Sequence, residues 1–252
     1  MLFIYRSLIN LIFPIIIIIT IIRIIYKKED KFRYREKLFS SSFNVKRNKD
    51  KRLIWFHVAS IGELKSIVPI INKLNETQRF EFLITTVSLS SSKLVPNLFI
   101  NQRNIFHRFF PYDKVNLVKS FLDKWKPDII LFVDSEIWPN FLFEINLRKI
   151  PLIMLNGRIT KKTFDRWKVV LNFAKNNFNK FDLCLAASKE SESYLKQLGA
   201  KNLKFFGNIK LADKIDQKEI SNLNSNFLLQ KKFWCDASTH KGEEIICIKT
   251  HC

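Results

Sequence analysis

From Leu53 to Phe206 short apolar runs alternate with longer segments whose apolar residues recur at helical spacing, and this alternation restricts the chain to one kind of architecture. The opening unit sets the pattern. Leu53–Ala59 is almost continuously apolar, Ser60-Ile61-Gly62-Glu63 is a tight turn, and Leu64, Ile67, Val68, Ile71 and Leu74 then share one helical face. Further strands are read at Phe80–Thr86, Ile105–Phe109, Asp128–Val133, Pro151–Leu155, Asp182–Ala187 and Asn202–Phe206. Helices are read from about Lys114 to Trp125, after Pro139, through about 164–178, and over 189–198 between Ser188 as N-cap and Gly199. Residues 88–93 read as a polar, Ser-rich stretch. Strands that are apolar throughout, separated by helices, make a parallel sheet covered on both faces: an α/β, Rossmann-like doubly wound fold.

In such a sheet, ligands bind beyond the carboxyl ends of the strands. Ser60 and Glu63 fall at one of these ends, where Glu63 is either the acid of a helix cap or a base. The run Val58-Ala59-Ser60-Ile61-Gly62 stands where a G-x-S-x-G nucleophile elbow would, so an α/β hydrolase using Ser60 is the lesser alternative. The first glycine is missing, and His107, His240 and His251 carry no supporting pattern. His57 reads as a strand residue whose side chain points away from that of Val58. A second constellation, Asp134-Ser135-Glu136-Ile137-Trp138-Pro139-Asn140, also follows a strand. Asp134 and Glu136 are either a cation-holding pair or acids leading into a helix that begins at Pro139.

The N-terminus is of another kind. Sixteen uncharged residues lie between Arg6 and Arg23, among them the run Ile15–Ile19. A helix of that length covers only ~24 Å against a hydrocarbon core of about 30 Å, a marginal span that Arg6 and Arg23 complete by snorkelling. Residues 1–26 are therefore expected to be a single transmembrane helix, with a buried or interfacial helix as the lesser reading. Lys27, Lys28, Lys31, Arg33, Arg35 and Lys37 crowd its C-terminal flank and place the globular part in the cytoplasm. The formal net charge is +20, and residues 1–52 carry 13 Lys/Arg against 4 Asp/Glu, a net +9. Such a balance suits nucleic acid or an anionic membrane surface, and 27–52 reads as a basic juxtamembrane connector. The four cysteines, Cys184, Cys235, Cys247 and Cys252, form no C-x-x-C pair and read as reduced thiols, with Cys184 a small core residue. Residues 211–230 lose the periodicity and read as a linker. Residues 231–252 read as the opening of a second domain, too short to bury a core of its own.

HVASIGE at 57–63, SEIWPN at 135–140, PLIMLNGRIT at 151–160, GNIK at 207–210 and ASTHKGEE at 237–244 occur in the order found in the Kdo transferases, which this chain resembles. Those enzymes move 3-deoxy-D-manno-octulosonic acid (Kdo) from its CMP-sugar to the lipid A precursor of Gram-negative bacteria. The resemblance implies that 53–210 is the acceptor-binding N-terminal half of a two-domain GT-B glycosyltransferase, with 231–252 the start of the donor-binding half. It implies Glu63 as general base, with Ser60 and Gly62 shaping its loop. Glu136 and Asn140 would orient the acceptor, and Arg158 would contact its phosphate or the donor carboxylate. Ser238, Thr239, His240 and Glu243 would face the donor. Asp134 stands where the family usually has Glu. The implied partners are CMP-Kdo, lipid A precursor and an anionic bacterial inner membrane, with no metal and no nucleic acid. A non-catalytic, membrane-anchored fragment that binds acceptor lipid is the other reading.

Overall fold

The computed structural model describes residues 1–43, 47–48 and 50–211, with single positions at 242, 245 and 248. The chain divides into two units, Met1–Asp213 and Lys214–Cys252, and the fold set out below is that of the first. The expected linker and second-domain start lie outside the described residues, apart from Leu211 and the three single positions.

Seven parallel strands form one sheet: β1 (Arg52–Val58), β2 (Phe80–Thr86), β3 (Ile105–Phe109), β4 (Ile129–Val133), β5 (Leu152–Gly157), β6 (Leu183–Ala186) and β7 (Leu203–Phe205). Their spatial order is β3-β2-β1-β4-β5-β6-β7. The chain thus runs outward from β1 in one direction and from β4 in the other, and the strand order reverses between these two neighbours. Alternation along β1 divides the core in two. Leu53 and Trp55 join one layer, with Phe121, Phe132 and Phe141, while Ile54, Phe56 and Val58 join the other, with Leu64, Ile67 and Ile71. Trp55 is fully buried and packs within 5.0–6.2 Å of Phe110, Phe121, Phe132 and Phe141.

The helices are α1 (Leu2–Ile25), α2 (Arg35–Leu38), α3 (Ile61–Asn75), α4 (Leu89–Leu98), α5 (Val115–Trp125), α6 (Pro139–Leu147), α7 (Lys161–Val169), α8 (Leu171–Phe178) and α9 (Lys189–Gln197). Two differ from expectation. The Ser-rich stretch is the first half of α4: Ser88 caps it by accepting the Ser91 N–H, and Ser91 and Ser92 are buried. The single helix expected over 164–178 is two, broken at Val170, whose φ of −122° is outside the helical range.

Within the segment read as a basic connector, residues 27–43 are folded onto the domain beside β3. Glu36 accepts the Phe109 N–H at 2.8 Å, Arg33 donates to the His107 carbonyl, and the Tyr112 N–H donates to the Lys37 carbonyl. Lys37 is buried, 2.6 Å from Glu29 and 2.8 Å from the Val87 carbonyl. Burial pulls its ammonium group below the usual lysine range, against the opposing pull of Glu29. Of the six flanking basic residues, Lys27, Lys28, Lys31 and Arg35 remain exposed.

Helix α1 is long and apolar enough to cross a membrane, but it is not separate from the domain. The Tyr5 hydroxyl donates to Asp113 at 2.7 Å and the Arg6 guanidinium to Asn140 at 3.0 Å, with Glu144 at 3.4 Å. Phe13 is buried, with the Lys114 ammonium 4.1 Å above its ring, and Thr20 shares a hydrogen bond with the Tyr112 hydroxyl at 2.9 Å. Arg6 is thus held by the protein and does not reach for a lipid interface.

Candidate active site

The reversal between β1 and β4 leaves a crevice at their carboxyl ends, the position where open α/β sheets hold ligands. Four of the sequence motifs end there. After β1, Ser60 adopts extended backbone and caps α3, accepting the Glu63 N–H at 3.3 Å. Glu63 answers in both directions: one carboxylate oxygen accepts the Ala59 N–H at 2.8 Å and the other the Ser60 hydroxyl at 2.7 Å. This is a reciprocal capping arrangement, and it fixes the carboxylate at the helix N-terminus. Two carboxylate oxygens have room for about four donors, so acceptor capacity remains after these two bonds. Gly62 is exposed, and a Cβ added there would meet open space. Among the described residues Ser60 has no histidine as a hydrogen-bond partner, and its hydroxyl is given to Glu63.

After β4, Asp134 takes a left-handed conformation (φ 63°) and its carboxylate lies 3.4 Å from the Lys210 ammonium. Ser135 clamps this loop to the one after β5, donating to the Arg158 carbonyl at 2.7 Å and accepting the Arg158 N–H at 3.1 Å. The Arg158 side chain is exposed. Asn156, buried at the end of β5, accepts the Ile209 N–H at 3.0 Å. The GNIK segment is thereby stitched across the ends of β4 and β5, and its lysine meets Asp134.

Glu136 is partly buried and accepts the indole N–H of Trp138 at 2.9 Å. Its Oε2 lies 3.8 Å from Nε2 of His57, which is fully buried. His57 stacks on Phe110 at 3.8 Å and shares its Nδ1 with the Thr85 hydroxyl at 3.0 Å, and its Nε2 has no hydrogen-bond partner. Burial pushes the Glu136 carboxyl upward, but the neighbouring imidazole and the indole N–H outweigh it and hold the group below the usual glutamate range. Sequence reasoning left His57 as an ordinary strand residue. It is one, but the register pairing His57 with Phe132 of β4 aims the imidazole at the loop that follows β4.

Asn140 is engaged within the protein. It is fully buried, its amide donates to the Asp113 carbonyl at 2.6 Å, its oxygen accepts from Arg6, and its backbone N–H donates to the Asp113 carboxylate at 3.0 Å. These bonds use the side chain to join α6, the β3–α5 loop and α1. Asp113 also accepts the Phe141 N–H, capping α6, and burial raises its carboxyl to about 7 against the lowering effect of these bonds. Asp134 and Glu136 turn to different partners, Lys210 and the His57–Trp138 pair. Among the described residues no three His, Cys, Asp or Glu side chains gather as a metal site. The expected donor group, Ser238, Thr239, His240 and Glu243, lies outside the described residues.

A cavity of about 280 Å³ opens between the end of α1 and this site. Arg23, Lys37 and Glu29 line its charged side, and Phe110, Tyr112 and Trp138 its aromatic side. Trp138 is common to the cavity and to Glu136.

A family model described as 3-deoxy-D-manno-octulosonic-acid transferase (kdotransferase) matches residues 32–213. The 3-deoxy-D-manno-octulosonic acid transferase of Rickettsia bellii is 31% identical over 247 residues, covering 96% of this chain and 57% of its own length. A probable mitochondrial 3-deoxy-D-manno-octulosonic acid transferase of Arabidopsis thaliana is 29% identical over 211 residues, covering 79% of this chain and 46% of its own. The chain spans about half the length of the curated relatives it matches. Among solved structures, a Staphylococcus aureus MnaA–UDP co-structure overlaps 70% of this chain and 51% of its own, at 13% identity and a TM-score of 0.49.

Proposed function

The chain belongs to the Kdo transferase family, and on that premise we propose that residues 1–211 form the acceptor side of a glycosyltransferase that moves Kdo from CMP-Kdo to lipid A precursor. The observation that carries this reading is the fixed position of Glu63 at the β1–β4 reversal, held by the Ala59 N–H and the Ser60 hydroxyl with acceptor capacity to spare. In the reaction an acceptor hydroxyl oxygen bonds to the anomeric carbon of Kdo. The bond from that carbon to the phosphate oxygen breaks, CMP leaves with the electron pair, and the hydroxyl proton passes to Glu63. Gly62 is exposed and a Cβ there would meet open space, and in this reading a sugar approaches the buried Glu63 carboxylate past it. Glu136, kept ionised by His57 and Trp138, orients acceptor hydroxyls by accepting from them. Arg158, exposed at the end of β5, contacts the acceptor phosphate or the donor carboxylate. The donor contacts belong to Ser238, Thr239, His240 and Glu243. No step calls for a metal, because the leaving group carries a single phosphate.

The reading places the enzyme on the inner membrane of a Gram-negative cell, with α1 as its attachment. The test joins this chain to the remaining length of the Rickettsia bellii relative and measures transfer of radiolabelled Kdo. Glu63→Gln is expected to lower turnover by roughly 10²–10⁴-fold, the usual worth of a positioned base, while acceptor binding is retained. Unchanged turnover would leave Glu63 with only its capping role. Failure of this chain alone to bind lipid A precursor would remove the acceptor assignment.

A further inference from the structure

Helix α1 carries two stripes. Tyr5, Phe13, Ile16, Ile17 and Thr20 face the domain and pack on it. Ile4, Leu8, Leu11, Ile15, Ile18 and Ile22, spaced alternately by four and three residues, make a second stripe that is wholly apolar and 44–76% exposed. Among the described residues of the first unit nothing covers this stripe, which runs nearly the full length of the helix.

The docked stripe fixes how such a helix can meet lipid. Tyr112 and Asp113 are adjacent in the chain and reach in opposite directions along α1, to Thr20 and Tyr5. The β3–α5 loop therefore lies along the middle of the helix, with Lys114 over Phe13. Were α1 to cross a bilayer as docked, this loop would sit near the midplane and carry Asp113 and Lys114 with it. The polar backbone and side chains of that loop would then have to leave water for the hydrocarbon core, which membrane proteins avoid. The bonds to Asn140 and Glu144 would draw the start of α6 in as well. A helix lying flat incurs none of these costs: its docked stripe stays on the protein and its open stripe enters the acyl boundary.

We infer that α1 is an in-plane anchor whose open stripe beds into one leaflet of an anionic bilayer, with the N-terminus and the domain on the same side. Charge and aromatic residues at the end of the helix fit that occupant. Lys27, Lys28, Lys31 and Arg35 are exposed, and Tyr26 and Phe32 are 71% and 77% exposed beside them. Basic and aromatic side chains of this kind settle at lipid headgroups. The inference stands apart from the sugar-transfer reading, and its test involves no sugar.

The purified chain with an N-terminal epitope is added from outside to vesicles of phosphatidylcholine with or without phosphatidylglycerol, then treated with protease. The epitope is expected to be cleaved as readily as on detergent-solubilised protein, with binding stronger to the phosphatidylglycerol vesicles and weakened by salt. Leu11→Glu/Ile15→Glu/Ile18→Glu is expected to lower vesicle binding by at least ~10-fold, since the open stripe supplies the apolar area. An epitope protected inside the vesicles would establish a span and overturn the inference. Equal binding by the triple variant, or no preference for the anionic vesicles, would overturn it too. A lipid-free dimer of the wild-type chain that the triple variant dissolves would assign the stripe to a second copy instead.

Discussion

Nε2 of His57 and Oε2 of Glu136 face each other at 3.8 Å across the junction of β1 and β4, and that nitrogen has no hydrogen-bond partner. The pair joins a residue buried in the sheet to a carboxylate at the crevice, so the state of the crevice depends on the core beneath it.

Replacing His57 should therefore be felt at Glu136. In His57→Phe the ring still stacks on Phe110, but the burial that pushes the Glu136 carboxyl up loses its chief opponent. The Glu136 pKa, read from its side-chain carboxyl carbon by NMR, should rise relative to the wild type. An unmoved titration would reduce His57 to packing.

Ser60→Ala separates the two tasks of the first loop. It removes the helix cap and one of the two donors holding Glu63, and should cost about 1 kcal/mol in chemical denaturation. The Ala59 N–H still holds the other carboxylate oxygen. In the joined enzyme its turnover should fall less than that of Glu63→Gln. A larger fall would mean that the hydroxyl meets the substrate itself.

Asp113 should make stability depend on pH. Its carboxyl rises from 3.8 to about 7 on folding, so folding takes up a proton between those values. The stabilising contribution is present in full below about pH 4 and is lost as pH rises through about 7. Denaturant midpoints of the wild type should therefore fall relative to those of Asp113→Asn across this window. Parallel curves for the two proteins would show that the carboxyl titrates normally.

Removing residues 1–26 should destabilise the domain as well as detach it. The deletion leaves Asp113 without Tyr5, Asn140 and Glu144 without Arg6, and Tyr112 without Thr20. Stranded buried polar groups cost roughly 1–3 kcal/mol each, though water admitted to the bared surface offsets part of that. Thermal unfolding several degrees or more below the full chain is the expected result. An unchanged midpoint would show the docking contacts to be without energetic weight.

The strands were legible because each is buried on both faces and reads as an apolar run whatever its neighbours. Helices were legible where a cap and an apolar period agreed, as at Ser188. Helix α4 was not, because its buried serines look like loop residues until Ser92 is seen donating to the Leu89 carbonyl within the helix. No glycine or proline marks the break at Val170. At the site, Glu63 and Glu136 could be placed from motifs at strand ends. His57 could not, since its role depends on the register between β1 and β4. The partners of Asn140 were hidden for the same reason: Asp113 and Arg6 lie 27 and 134 residues away.

The docked stripe of α1 also sets an order of events during synthesis. About 90 residues separate Ile25 from Asp113, so at roughly 5–20 residues per second the helix is made some 5–20 s before the loop it will rest on. For that interval both of its stripes lack the β3–α5 loop and the start of α6, which will cover one of them. On the in-plane inference the helix meets the membrane first, and the domain then folds down onto a helix already in place. Ribosome-bound chains halted before Asp113 should float with vesicles, and the Leu11, Ile15 and Ile18 substitutions should release them only in part, because the second stripe is still free to hold on.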